Sequence, residues 1–261
     1  MERSLLQIVD HRPWALPASP WLMRQTWHDL LFAHWPVRPE SLRAVVPPEL
    51  ELNLWEGSAW LGVVPFHMSG IRLHGFWAIP GLSAFPELNV RTYVKAGGRS
   101  GVYFFSLDAA NAIAVACAQR FFLLPYYRAK IQVFPQGNGL EYHSTRIHRG
   151  AMPVSLEARY KPMGEVFQAQ PGGLEHWLTE RYCLFTLDRR RKICQCEIHH
   201  SPWPLQPAEA EFMVNQMTEP IGIALEGEPL LHFVRRLDVL IWPLRSISTW
   251  ETHAGLEDHG E

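Results

Sequence analysis

A stretch from Phe85 to Asp108 limits what this chain can become more than any other. It reads Phe85-Pro86-Glu87-Leu88-Asn89-Val90-Arg91-Thr92-Tyr93-Val94, then Lys95-Ala96-Gly97-Gly98-Arg99-Ser100-Gly101, then Val102-Tyr103-Phe104-Phe105-Ser106-Leu107-Asp108. Two β-rich runs around a Gly-rich turn are the sequence form of a β-hairpin. In the first arm Glu87, Asn89, Arg91 and Tyr93 point one way and Leu88, Val90, Thr92 and Val94 the other. A half-buried strand turns such a polar row to water. The second arm, however, is apolar or aromatic at nearly every position, which suits a strand covered on both faces. Two readings follow. Either the row lines an interior cavity, with Glu87 and Arg91 compensating each other's charge, or it is a solvated face with a surface ion pair.

The surroundings of the hairpin predict short strands and ordered loops. The chain has 261 residues, 21 of them Pro, which interrupt long helices. Residues 1–20 carry Pro13, Pro17 and Pro20 and read as an irregular arm. Trp21 to Trp35 fits a helix or a strand. Pro39 to Val46 reads as a short helix stopped by Pro47-Pro48. Ser58 to Met68 reads as a strand whose Pro65 marks an edge or a bulge, and residues 69–84 as a loop. Strands are expected near 129–134, 140–148 and 156–162. A hairpin is expected over 181–199 around the basic turn 188–192, a helical turn at 173–179, and a last strand at 231–242. Residues 208–215 are ambiguous. From residue 246 the chain is polar and acidic, and a disordered tail is expected. One β-rich domain over 21–245 is the economical organisation.

Composition narrows the function classes. Net charge is −2, which supplies no electrostatic case for a nucleic-acid partner or an anionic membrane surface. The longest small-apolar run, 109–118, is shorter than the roughly 20 residues a bilayer requires, and the apolar run within Leu5 to Asp10 is too short for a signal-peptide core. Cys117, Cys183, Cys194 and Cys196 do not amount to a disulfide framework, so reduced thiols and a cytoplasmic location are expected. Cys194, Cys196 and His200 share a strand face, but the spacing lacks the CxxC of zinc sites, and no metal or cofactor is expected. No HExxH, GxSxG, GxGxxG or P-loop pattern occurs. The partner class left is a small molecule, with an anion suited to Arg91. A homo-oligomer remains open.

Several segments together resemble the YqjF-like bacterial family of unknown function: Met23-Arg24-Gln25-Thr26-Trp27, Leu31-Phe32-Ala33-His34-Trp35, Pro86 to Tyr93, Tyr103 to Asp108, Leu124-Pro125-Tyr126-Tyr127 and Thr179-Glu180-Arg181-Tyr182. A more distant resemblance links Leu42 to Pro47, Leu50-Glu51-Leu52, Phe85-Pro86-Glu87, the aromatic strand ending at Asp108, and Pro125 to the acetoacetate decarboxylases. That resemblance implies an α+β fold, predominantly antiparallel β, built as a cone-shaped barrel with a few short helices around a small pocket. It also favours a strand over Trp21–Trp35.

Decarboxylases of this kind use a lysine of depressed pKa to form a Schiff base with a ketone. That lysine and its neighbour directly follow the proline, where this chain has Tyr126 and Tyr127. A phenol forms no Schiff base, and the nearest amine, Lys130, stands in a different register. The family's pocket glutamate corresponds to Glu87. Its pocket arginine corresponds loosely to His28, with Arg24 two strand steps away. The resulting expectation is a small-molecule pocket for a carboxylate or carbonyl compound, lyase-like or non-catalytic. Glu87 and Tyr126 are the acid/base candidates, and Asn89, Arg91, Tyr93, Tyr127, His28 and Arg24 the ligand-binding ones.

Overall fold

The computed structural model describes residues 5–79, 81 and 83–247. Alternating and β-branched runs become strands β1 (Met23–Val37), β2 (Glu51–Leu52), β3 (Ala59–Leu73), β4 (Phe85–Ala96), β5 (Arg99–Ala109), β6 (Tyr126–Gln136) and β7 (Gly139–Arg146). They continue as β8 (Ser155–Pro162), β9 (Cys183–Leu187), β10 (Ile193–His199), β11 (Gln206–Asn215), β12 (Leu230–Ile241) and β13 (Arg245–Ser246). Helices are short: α1 (Pro39–Arg43), α2 (Ala112–Phe121) and α3 (Leu174–Thr179). In α2 the Asn111 side chain accepts from the backbone N–H groups of Ile113 and Ala114, which starts the helix at the apolar run.

The hairpin of β4 and β5 turns at Gly97 and Gly98, with φ of 56° and 72°. Two successive positive φ values are what a tight hairpin turn demands and what glycine supplies without strain. Strands β12, β1, β3, β4 and β5 lie side by side and belong to two closed circuits. One returns from β5 through β6, β7, β8 and β11 to β12, and the other through β9 and β10. Only the β5–β6 and β5–β9 joints among these pairings are parallel. Closure leaves few free strand edges, the usual liability of a large sheet. Among the described residues no helix is long and apolar enough to cross a membrane.

Strand β1 changes phase part-way. Against β3 its register runs from His28↔His67 to Ala33↔Val63, so β1 carries one extra residue. Asp29, with φ of 49°, takes up the bulge. Before it Trp27 packs with Phe66 and Trp203; after it Leu30 and Phe32 occupy that same side, and Leu31, Ala33 and Trp35 join the other core. Pro65 lies opposite this interruption and not at a sheet edge, so its missing N–H falls where the ladder is already broken.

Two expected boundaries differ. Strand β3 continues through 69–73, because Arg72 and Leu73 pair with Arg24 and Met23; main-chain pairing overrides the polar side chains there. Arg245 and Ser246 pair with Gln195 and Cys194, so the last strand lies where the tail was expected to begin; residues 248–261 of that tail lie outside the described residues. The N-terminal arm is irregular as expected but fastened. Arg12 donates to the Ile198 carbonyl at 2.8 Å and to Glu197 at 3.1 Å, and Trp242 Nε1 donates to the Ser19 carbonyl at 2.7 Å.

Among the described residues one ion pair lies wholly inside. Arg146 donates from Nε to Asp108 Oδ2 at 2.9 Å and from Nη2 to Oδ1 at 2.7 Å, joining β7 to the end of β5. Burial pushes the Asp108 carboxyl up, and Arg146 pulls it back. Removing one partner of a buried pair strands the other charge, which costs roughly 3–5 kcal/mol. Arg146→Ala should therefore lower the urea midpoint by a free energy in that range, and a loss of less than about 1 kcal/mol would mean the pair behaves as a surface bridge.

Candidate functional site

Both faces of β4 are covered. Leu88, Val90 and Val94 pack into a core with Tyr142, Leu156, Ala158 and Phe233. The opposite row is equally enclosed: Glu87 is 2%, Asn89 8%, Arg91 8% and Tyr93 1% exposed. The row is thus interior, and the solvated reading does not hold. The expected Glu87–Arg91 compensation does not form either. Glu87 Oε2 and Arg91 Nε and Nη2 have no hydrogen-bonding partner within the protein. Four residues of strand separate the two positions, about 13 Å at roughly 3.3 Å per residue.

Each ionisable group in the row answers its burial differently. Desolvation pushes the Glu87 carboxyl up to about 8, and Asp108 pushes the same way; Tyr126 and Asn89 approach the carboxyl and pull it part of the way back. At neutral pH Glu87 is therefore mostly protonated. Burial, followed by the charge of Glu87, raises the Tyr126 phenol well above its ordinary value. Tyr93 is likewise raised by burial, against the pull of Arg91 and Arg181.

Two further side chains complete the constellation. His34 of β1 is fully buried, and its Nε2 lies 2.7 Å from the Tyr93 hydroxyl. Burial, then Arg91, then His232 hold His34 well below its ordinary pKa, so it is neutral. A Cβ on Gly62 would stand 3.0 Å from His34 Cδ2 and 3.5 Å from Arg91 Cγ; the bare backbone of β3 is what lets these two side chains sit together. Arg181, in the connection between α3 and β9, lies with its guanidinium carbon 4.4 Å from the Trp177 ring centre and 5.0 Å from that of Tyr93. Arg91 stands 5.0 Å over Phe32 and 5.9 Å from the Tyr93 centre. Burial, with Arg91 adding to it, pushes Arg181 down to about 10, which still leaves it cationic at neutral pH.

The structure sets Glu87, Asn89, Arg91 and Tyr93 in one buried row, with Tyr126 against Glu87 at one end and Arg91 beside Tyr93 at the other. Arg24, His28 and Tyr127 lie elsewhere. Arg24 meets Asp238 at 3.4 Å, and His28 Nε2 lies 2.7 Å from Ser69 Oγ. Both precede the Asp29 bulge on the face opposite Trp27, so they look away from the row. Tyr127 covers the Arg146 guanidinium at 4.1 Å. Lys130 is exposed on β6. Sequence reasoning missed His34 and Arg181. Both stand in segments quoted for the resemblance, but neither facing was legible: a bulge precedes His34, and Arg181 lies outside any strand.

Other candidate places carry less. Among the described residues no group of three or more His, Cys, Asp or Glu is placed to hold a metal ion. Cys196 Sγ instead donates to the Trp242 carbonyl at 3.1 Å. The basic turn Arg189–Lys192 is exposed. It borders a surface depression of about 400 Å³ that shares no residue with the β4 row.

Comparison with known proteins agrees with this architecture. Residues 24–238 match the family DUF2071, described as an uncharacterized conserved protein. The uncharacterized protein YqjF of Bacillus subtilis (strain 168) is 47% identical over 235 residues, spanning 90% of this chain and 96% of that protein. Among solved structures, acetoacetate decarboxylase from Legionella pneumophila superposes with a TM-score of 0.58 at 13% identity, covering 93% of this chain and 94% of that one. The enduracididine biosynthesis enzyme MppR complexed with pyruvate superposes with a TM-score of 0.61 at 15% identity, covering 91% and 94%. Identities this low speak for the fold alone. On the breadth of the family match and the identity to YqjF, the chain belongs to the DUF2071 family, and its fold is the acetoacetate decarboxylase-like β-barrel.

Proposed function

We propose that the interior beside β4 binds a small carboxylate or carbonyl compound, with Arg91 receiving its anionic group, Asn89 orienting it, and Glu87 with Tyr126 exchanging a proton with it. The observation that carries this reading is a buried arginine whose Nε and Nη2 meet no acceptor, in one strand row with a carboxyl that is protonated near neutrality. Evolution seldom keeps an uncompensated charge inside a core without a use for it, and perturbed titrations gather at functional sites. The superposition on MppR, a protein whose structure is complexed with pyruvate, supports a keto acid as the size class.

The chemistry open to the site is acid/base chemistry. A carboxyl near pKa 8 is a competent proton donor at neutral pH, and such a group contributes about 10²–10⁴-fold when placed on a reacting atom. The positions that follow Pro125 supply no amine for an imine route, being Tyr126 and Tyr127, and Lys130 is exposed on β6. Those two tyrosines also favour a second reading, in which the same pocket binds its ligand without turnover, as a sensor. Product analysis after incubation separates the two.

Three outcomes test the proposal. Pyruvate and acetoacetate should raise the melting temperature of the wild-type chain and leave Arg91→Met unmoved; an equal shift in both proteins places the anion elsewhere. Borohydride treatment with either compound should leave the protein mass unchanged, whereas an adduct on Lys130 would restore Schiff-base chemistry. The third outcome concerns pH. Glu87 titrates near 8 in the folded chain against an ordinary 4.5 when unfolded, so between those values the folded form holds more protons. Its contribution to stability is therefore complete below the lower value and falls as pH rises, by at most about 1.4 kcal/mol per pH unit. Glu87→Gln, neutral throughout, should flatten that decline, and an unchanged slope would mean that Glu87 is ionised in the fold.

A further inference from the structure

Arg181 repeats, from outside the hairpin, what is unusual about Arg91. It is 6% exposed, and its Nε and Nη2 meet no acceptor within the protein. Among the described residues neither arginine has an acidic partner. Asp108, towards the end of β5, is held by Arg146, and Glu180, next to Arg181 in the chain, receives the Tyr182 hydroxyl and, at 3.0 Å, the Trp203 N–H. Glu87 stands four residues along β4 from Arg91 and is mostly protonated at neutral pH.

The rings around Arg181 do not substitute for an anion. Trp177 and Tyr93 attract the positive charge towards their ring faces. Those ring faces offer no lone pair to the N–H bonds at the guanidinium edge, and the Tyr93 hydroxyl lies 2.7 Å from His34 Nε2. In both arginines that free edge is the Nε/Nη2 side, two parallel donors with the spacing of the two oxygens of a carboxylate. Both guanidinium carbons lie within 5.9 Å of the centre of one ring, Tyr93.

Resting on the reading of the site given above, we infer that the pocket is built for a short dicarboxylate, one carboxylate engaging Arg91 and the other Arg181 on either side of Tyr93. Two cations held together in a low-dielectric interior repel each other, and a doubly charged ligand relieves that repulsion where a single carboxylate leaves one guanidinium uncompensated. Arg181 is thus a specificity-determining residue, separating diacids from monoacids of similar length.

The test is calorimetric titration of the full chain with matched acids: propionate against succinate, and pyruvate against oxaloacetate. In the wild-type protein each diacid should bind at least about tenfold more tightly than its monoacid, the effect of one additional charge-assisted pair. Arg181→Met should bring succinate down to the level of propionate. Arg181→Lys keeps the charge while losing the fork. It should also lose most of the preference, and it carries the test if the methionine variant does not fold, as judged by circular dichroism. A diacid no tighter than its monoacid, or a preference that survives both substitutions, overturns the inference while leaving the monocarboxylate reading intact. If none of the four acids binds, both readings fail together. Phosphonoacetate and inorganic phosphate form the last arm, and tighter binding of either than of succinate overturns the choice of a dicarboxylate.

Discussion

A strand covered on both faces has no side left for water. That condition falls on β4, and the chemistry of this protein follows from it. A polar side chain on such a strand must find a partner, give up its charge, or remain charged at a cost. The interior shows all three. Asp108 finds a partner in Arg146. Glu87 gives up its charge by holding a proton, and His34 by releasing one. Arg91 and Arg181 have no neutral form to retreat to at ordinary pH. The interior around β4 is thereby left with two guanidinium charges, although the chain as a whole carries a net charge of −2.

That imbalance has an energetic side. An unpaired buried charge destabilises a fold by several kcal/mol, and cation–π contacts of about 0.5–2 kcal/mol each return only part of this. Phe32, Tyr93 and Trp177 act as this partial compensation. The barrel tolerates the remainder because its apolar clusters are extensive and the arm and final strand fasten β10 from outside. Such a region is where stability and activity are expected to oppose each other.

Much of this arrangement is legible in the sequence wherever alternation is unbroken. The row Glu87, Asn89, Arg91 and Tyr93 follows from period-two spacing, and the hairpin turn from paired glycines. The class of barrel follows from segments shared with the acetoacetate decarboxylases. What stayed hidden has physical causes. Arg24 and His28 correspond to the site by linear alignment, but the bulge after them reverses which side of β1 faces inward. Arg181 belongs to a connection, which has no periodicity to reveal a facing. The partnership of Asp108 with Arg146 spans 38 residues and two strands, and nothing local in either segment announces it.

The bulge itself has a wider consequence. Asp29 adopts its left-handed backbone, pairs with Arg235 at 2.5 Å, and offers its carbonyl to the Tyr160 hydroxyl at 3.0 Å. Strand β12 stays in continuous register with β1 through this point and so turns its own side chains with it: Phe233 packs into one core, Val234 and Leu237 into the other. One residue thus acts like a reading frame for two neighbouring strands. Were it paired regularly, the same letters would spell a different interior, with Leu31, Ala33 and Trp35 beside the arginines and His34 among aliphatic side chains. The charged row is written in the chain, but what it faces depends on a single backbone conformation in a neighbouring strand.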